Sequence, residues 1–167
     1  IMDGLVGSEM CIRDRLISGQ RSSVVKVSWE NDLKWILTDP IRFQNQDKIL
    51  TNQQNEIITW GQHNIRFDPL NNNYYLFDNG LGRNYSNDLK FSRGVKFSIN
   101  ENDFSYDIIN TYGQNYPEYH SPIISGIDFD QQGNVIVLFG SIGYELNYVN
   151  NKDWIGNVWK SPVPEYG

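Results

Sequence analysis

The most constraining feature of this sequence is the regular return of turn-forming residues. Clusters of Asn, Asp and Gly interrupt short segments rich in branched and aromatic residues about every 8 to 12 positions, a spacing typical of an all-β sandwich, barrel or propeller. Asn71-Asn72-Asn73 is the clearest of these turns. The pattern predicts connections at 38–56 and 80–91, and strands at 23–27, 33–37, 57–60, 64–67, 74–77, 95–99, 104–111, 123–129, 135–139, 144–149 and 155–159.

The composition supports strands and argues against a nucleic-acid partner and a membrane span. Aromatic residues make up 14% of the chain and charged residues only 20%, a mixture that suits strands joined by tight polar turns. The formal net charge is −6 and the pI is near 4.8, which argues against a nucleic-acid partner. No apolar run approaches the ~20 residues that a membrane-spanning helix needs, so we predict no membrane span.

The first residues do not read as native sequence. Residues 4–15 match, one after another, the translation of a transposon-type sequencing adapter. We therefore expect residues 1–15 to be a non-native leader and residues 16–167 to form one domain. Cys11, the only cysteine, falls within the leader, so neither a disulfide nor thiol chemistry is expected of the remainder.

Strand counting alone leaves two architectures open. The spacing fits four-stranded propeller blades of about 40 to 50 residues each, so residues 16–167 would form roughly three blades, too few to close a ring. A self-contained β-sandwich fits the same count of strands. An open set of blades would leave two outer faces uncovered, and we would then expect marginal stability or aggregation.

Several separated patches favour the propeller, because together they resemble the arylsulfotransferase family. That resemblance implies an all-β fold in which this chain supplies a partial β-propeller, about three blades of a six-bladed ring. The patches cover nearly all of residues 16–167 in the order expected for the family. They are 22–27 (SSVVKV), 34–37 (KWIL), 62–64 (QHN), 77–83 (FDNGLGR), 91–95 (FSRGV), 119–125 (YHSPIIS) and 139–142 (FGSI).

The resemblance also implies an active site. His63, in the Gln-His patch, matches an active-site histidine that binds the sulfuryl group and stabilises the transition state. Arg83, which closes the Asp-Asn-Gly-Leu-Gly-Arg patch, matches a catalytic-site arginine. Both types suit the chemistry: arginine matches the oxygens of a tetrahedral oxyanion, and histidine changes protonation near neutral pH. A histidine satisfied by backbone partners and an exposed turn arginine are the alternatives.

Two further positions are candidate substrate contacts. Gln20 stands where the family has a histidine, and glutamine can donate a hydrogen bond to a sulfuryl oxygen without carrying charge or a proton. Asn79 is the other candidate, although Asx-type hydrogen bonds from Asp78 and Asn79 that brace the loop are the stronger alternative. We expect Arg93 to be structural, as a salt-bridge partner between blades.

The leading hypothesis is a nucleotide-independent enzyme that moves a sulfuryl group from an aryl sulfate to a phenol through a histidine-linked intermediate. We expect the nucleophilic histidine beyond residue 167, so activity belongs to the parent protein. The resemblance implies no metal or other cofactor and a periplasmic or extracellular location. The alternatives are a non-catalytic propeller that binds a ligand or partner, which Gln20 favours, and a domain that hydrolyses sulfate esters.

Overall fold

The computed structural model describes residues 14–19, 23–43, 47–81, 83 and 91–142. This part of the chain is all-β, with nine strands in three antiparallel sheets in which strands adjacent in sequence pair. The helical segments in it are two 3₁₀ turns, Pro40–Phe43 and Pro117–Tyr119. The first sheet contains β1 (Arg15–Gly19), β2 (Ser23–Val27) and β3 (Leu33–Thr38), the second contains β4 (His63–Asp68), β5 (Asn73–Asp78), β6 (Arg93–Asn100) and β7 (Ser105–Tyr112), and the third contains β8 (Gly126–Phe129) and β9 (Val135–Leu138).

The turns are set by local polar side chains, as the sequence predicts. In the β4–β5 hairpin the Asp68 carboxylate accepts hydrogen bonds from the backbone N–H of Leu70, at 3.0 Å, and from the side-chain amide of Asn71, at 2.8 Å. Asn72 adopts a φ of 53°, a left-handed conformation that asparagine tolerates better than most residues. These contacts fix where β4 ends and β5 begins.

β5 is the central strand of the structure because both of its faces are buried. Tyr74 and Leu76 point into one core, which they share with Trp35 of the first sheet and Phe97 of β6. The Trp35 and Tyr74 rings meet edge to face, with centroids 5.7 Å apart. Side chains alternate along a strand, so Tyr75 and Phe77 face the opposite way.

The opposite face of β5 packs against the third sheet. Tyr75 stacks on Phe129 of β8 with ring centroids 4.6 Å apart, and Phe77 meets Phe139 edge to face at 5.3 Å. Ile127 completes this second core. The three sheets are therefore layered, with the four-stranded sheet in the middle.

The two end sheets expose apolar side chains. Ile17 on β1 is 50% exposed, and Ile136 and Leu138 on β9 are 60% and 64% exposed. β1 and β9 are also the outermost strands of their sheets. Among the described residues, no helix is long and apolar enough to span a membrane.

The all-β prediction is confirmed. Seven of the predicted strands correspond to β2–β7 and β9, and their ends agree within two residues. Three details were wrong. Residues 16–19 belong to β1, which was not predicted. Residues 57–60 form no strand; they hold Ile58 in the first core without ladder hydrogen bonds. β8 begins at Gly126 and not at residue 123, because serine hydrogen bonds hold the preceding segment. The strands predicted at 144–149 and 155–159 lie outside the described residues.

Candidate active site

The candidate residues lie at one end of the central sheet. His63 begins β4 and pairs with Phe77, and Asp78 ends β5 and pairs with Arg93 at the start of β6. Antiparallel neighbours bring the start of one strand beside the end of the next. Residues from three separate patches of the sequence are therefore gathered at this edge.

Asp78 is the centre of a buried ion cluster. Its carboxylate is fully buried and accepts hydrogen bonds from Arg83 and from Nε of Arg93, the latter at 3.2 Å. Arg93 also pairs with Glu56 at 2.6 Å. Burial raises the pKa of the Asp78 carboxyl, and the positive charges of the two arginines oppose that rise. The guanidinium groups of Arg83 and Arg93 therefore share one carboxylate oxygen, Oδ2 of Asp78.

Arg83 is held on several sides. Besides its pair with Asp78, its Nη1 donates to the backbone carbonyl of Phe91 at 3.0 Å, and its guanidinium carbon lies 3.8 Å from the centroid of the Phe91 ring. The side chain is only 11% exposed, and burial lowers its pKa while Asp78 opposes that change. Asp78 and Arg83 thus form an ion pair.

Gly80 allows this loop to close. Its φ is +73°, and a Cβ there would collide with the carbonyl of Phe91. Only glycine adopts this conformation without strain and leaves room for that carbonyl. The backbone N–H of Gly80 donates to Asp78 Oδ1 at 3.1 Å, an Asx-type hydrogen bond of the kind predicted for Asp78.

His63 is contacted by Asn79. Nδ1 of the imidazole lies 3.2 Å from Oδ1 of Asn79, and the His63 side chain is partly exposed. Asn79 is completely buried, and its Nδ2 donates to the carbonyl of Ser121 at 2.6 Å. The Asn79 side chain thus joins His63 to the Ser121 segment.

A cluster of buried serines supports Asn79. The hydroxyl of Ser121 lies 2.7 Å from that of Ser125 and 2.9 Å from that of Ser141. The hydroxyl of Ser92 donates to the Asn79 carbonyl and accepts from the Ser121 N–H, both at 2.8 Å. Sequence reasoning missed this cluster, although each of these serines falls in one of the resemblance patches.

Gln62 ties the first sheet to the start of β4. Its Nε2 donates to the carbonyls of Gly19 and Ser23, at 2.9 and 3.0 Å. These residues flank the β1–β2 connection, which contains Gln20. Gln20 itself lies outside the described residues, so its role as a substrate contact stays a prediction.

Arg93 is structural in a different way from the one predicted. Its partners are Asp78 on the neighbouring strand of the same sheet, Glu56 in the preceding connection, and Gln114, whose Oε1 accepts from Nη1 at 3.1 Å. Arg93 therefore joins elements around one end of the same sheet, and these partners do not lie on a strand of another sheet. Among the described residues, no group of three or more His, Cys, Asp or Glu side chains is placed to hold a metal.

The comparison with protein families gives a match that spans most of the chain. The family model described as arylsulfotransferase (ASST) matches residues 12–161. The search of curated proteins gives no significant match. The matched segment contains every described side chain of the site, from Glu56 to Ser141. The chain therefore belongs to the arylsulfotransferase family.

Proposed function

We propose that these residues form part of a site that transfers a sulfuryl group from an aryl sulfate to a phenolic acceptor, without a nucleotide donor. One observation carries the proposal. Two consecutive residues at the end of β5 hold the two candidate catalytic groups, because Asp78 pairs with Arg83 and Asn79 contacts His63. A cation and an imidazole that are held by adjacent residues at one strand end suit a transferring oxyanion.

The chemistry needs both groups. Sulfuryl transfer resembles phosphoryl transfer, in which negative charge spreads over the peripheral oxygens and the departing oxygen. A guanidinium near these oxygens stabilises that charge, and the Arg83 fork offers several N–H donors beyond those used by Asp78 and Phe91. An imidazole can bind a sulfuryl oxygen when protonated or accept a proton from the phenol when neutral.

The reaction proceeds in two steps through a histidine-linked intermediate. In the first, a histidine nitrogen forms a bond to sulfur while the bond from sulfur to the aryl oxygen breaks and a phenolate leaves. In the second, the acceptor phenol gives its proton to the neutral imidazole of His63, its oxygen attacks sulfur, and the bond from sulfur to the carrier nitrogen breaks. We expect the carrier histidine beyond residue 167, with His63 contacting the group in transit.

The layered sheets support the propeller as the fold that carries this site. Blades of a propeller are antiparallel sheets of four strands that pack face to face, and the β4–β7 sheet is such a meander between two neighbours. The apolar side chains exposed on β1 and β9 are those that further blades would cover. We therefore propose that the chain contributes about three blades of a six-bladed ring.

A non-catalytic binding module is the second candidate, and one observation favours it. Arg83 is 11% exposed and already engaged by Asp78 and by the carbonyl and ring of Phe91. An arginine with these contacts can have a purely structural role, in which it only holds the loop in place. A ligand would then bind at the same edge of the sheet without being transformed.

Substitution in the longer protein that includes the carrier histidine separates the two candidates. We expect His63→Ala and Arg83→Lys each to lower transfer from 4-nitrophenyl sulfate by about a hundredfold or more, since losing one transition-state donor costs about 3 kcal/mol. Lysine is used at 83 because alanine would leave the buried Asp78 with one cation fewer. Arg66→Lys is the matched control, since Arg66 is about half exposed and pairs with Asp128.

Unfolding by urea must accompany each rate measurement. A folded His63→Ala or Arg83→Lys protein with near-normal turnover would show that the residue has no part in transfer. If every variant and the unaltered protein bind the aryl sulfate but release no phenol, the binding module is the correct function.

A further inference from the structure

Asn79 is a polar residue of the site whose side chain does not reach solvent. It has no exposed surface, yet both ends of its amide are engaged. Nδ2 lies 2.6 Å from the Ser121 carbonyl and 3.3 Å from the Ser125 hydroxyl. Oδ1 lies 3.2 Å from Nδ1 of His63. A substrate contact would need an exposed end, so Asn79 has another task.

The Ser121 carbonyl fixes which way the amide faces. A backbone carbonyl only accepts hydrogen bonds, so an amide oxygen 2.6 Å from it would meet a second acceptor at repulsive distance. The amide nitrogen must therefore face Ser121, and Oδ1 must face His63. Because Oδ1 also only accepts, the imidazole nitrogen that it meets carries the proton.

The support behind Asn79 is rigid. Ser92 joins the backbone of Asn79 to that of Ser121, because its hydroxyl donates to the Asn79 carbonyl and accepts from the Ser121 N–H. The Ser121 hydroxyl in turn accepts from the N–H of Ser141 at 2.8 Å. The amide cannot turn over without breaking contacts that are buried, and buried polar groups left unpaired are costly.

We propose that Asn79 is a positioning residue that holds His63 as the Nδ1–H tautomer, so that Nε2 is the nitrogen presented to the ligand. The identity of that ligand as a sulfuryl group or a phenol rests on the proposed function. In the neutral imidazole, Nε2 then carries the lone pair and can accept a proton from the phenol. In the imidazolium, the same atom donates a hydrogen bond to a sulfuryl oxygen.

The tautomer can be measured directly in the whole chain without substrate. The sequence contains two histidines, His63 and His120, so side-chain ¹⁵N NMR at a pH where the imidazoles are neutral gives few signals, and His120→Gln assigns them. We expect protonated Nδ1 and unprotonated Nε2 at His63. Asn79→Ala removes the acceptor that faces Nδ1 and should lose this tautomer.

Asn52→Ala is the matched control. Asn52 is also a buried asparagine whose amide is engaged at both ends, by the N–H and the carbonyl of Glu56, at 2.9 and 2.7 Å. Its loss should lower stability and leave the His63 tautomer as it is. If only structural support mattered, the two alanine variants would affect His63 alike.

Two results would overturn the inference. One is an Nε2–H tautomer at His63 in the unaltered chain, which needs no variant to fold. The other is a folded Asn79→Ala protein that keeps the Nδ1–H form. Failure of the proposed function is a separate outcome: the tautomer would be as expected, but His63→Ala would leave transfer unchanged.

Discussion

Removing the charge of Asp78 tests whether the buried ion cluster holds this end of the sheet. In Asp78→Asn, one amide oxygen remains for the Gly80 N–H, so the amide nitrogen faces Arg83 and Arg93. Both guanidiniums then lose an acceptor and their shared counter-charge in a site where they are almost fully buried. Breaking a buried ion pair costs about 3–5 kcal/mol, a large part of the roughly 5–15 kcal/mol by which domains are stable.

The assay is equilibrium unfolding in urea followed by tryptophan fluorescence. With a loss of about 4 kcal/mol and a denaturant slope of about 2 kcal/mol per molar, the midpoint should fall by roughly 2 M. Asp128→Asn is the control, because Asp128 pairs with Arg66 at 3.4 Å and both side chains are about half exposed. That pair is worth about 1 kcal/mol at most. Equal losses in the two variants would refute the reasoning.

Three further predictions concern other parts of the structure. Gly80→Ala forces alanine into a φ of +73° and brings its Cβ into collision with the Phe91 carbonyl. The backbone strain alone should lower the free energy of unfolding, measured with urea, by about 1–3 kcal/mol, and the collision should lower it further. A hydrogen bond from the Asn134 side chain is the main cause that lowers the pKa of the Asp130 carboxyl. The ionised carboxylate therefore stabilises the fold above its unfolded-state pKa of about 3.9, and this contribution is lost as pH falls through the lower folded-state pKa. The urea midpoints of Asp130→Asn and of the unaltered chain should therefore converge as pH falls below about 4. Replacing the exposed Ile136 and Leu138 by threonine should reduce self-association of the chain in sedimentation velocity.

Each of these predictions has a control or a contradicting result. Gly133→Ala has a similar φ of +83° but no atom near the added Cβ, so it should cost less than Gly80→Ala. A difference between Asp130→Asn and the unaltered chain that persists unchanged at pH 2 would contradict the linkage argument. Unaltered association after both threonine substitutions would show that the outer face of β9 is not where molecules meet.

The strands could be predicted from the sequence because their signal is local. Alternating apolar residues and asparagine-rich turns lie next to each other in the chain, so β2, β3 and β5 were placed well. Residues 57–60 have the same apolar character, but they bury Ile58 without forming a strand. Whether an apolar segment joins a ladder depends on which strand edge is open beside it, and that is decided by the tertiary fold.

The site could be predicted only in part, for the same reason. His63 and Arg83 were identified from resemblance, but the ion pair between Asp78 and Arg83 was not predicted. The contacts of Asn79 with Ser121, 42 positions away, leave no local pattern. Hydrogen bonds between residues so distant in sequence depend on strand register, which the residue types alone do not specify.

The two-sided burial of β5 restricts how this part of the family can change length during evolution. Deleting one residue within the strand would exchange Tyr74 and Leu76 with Tyr75 and Phe77 between the two cores, since a shift of one position turns every side chain to the other face. The same shift would move Asp78 away from the end of the sheet and separate it from Arg83. Insertions and deletions should therefore be absent from residues 73–79 in related proteins, whereas the exposed turn at 69–72 can accept them.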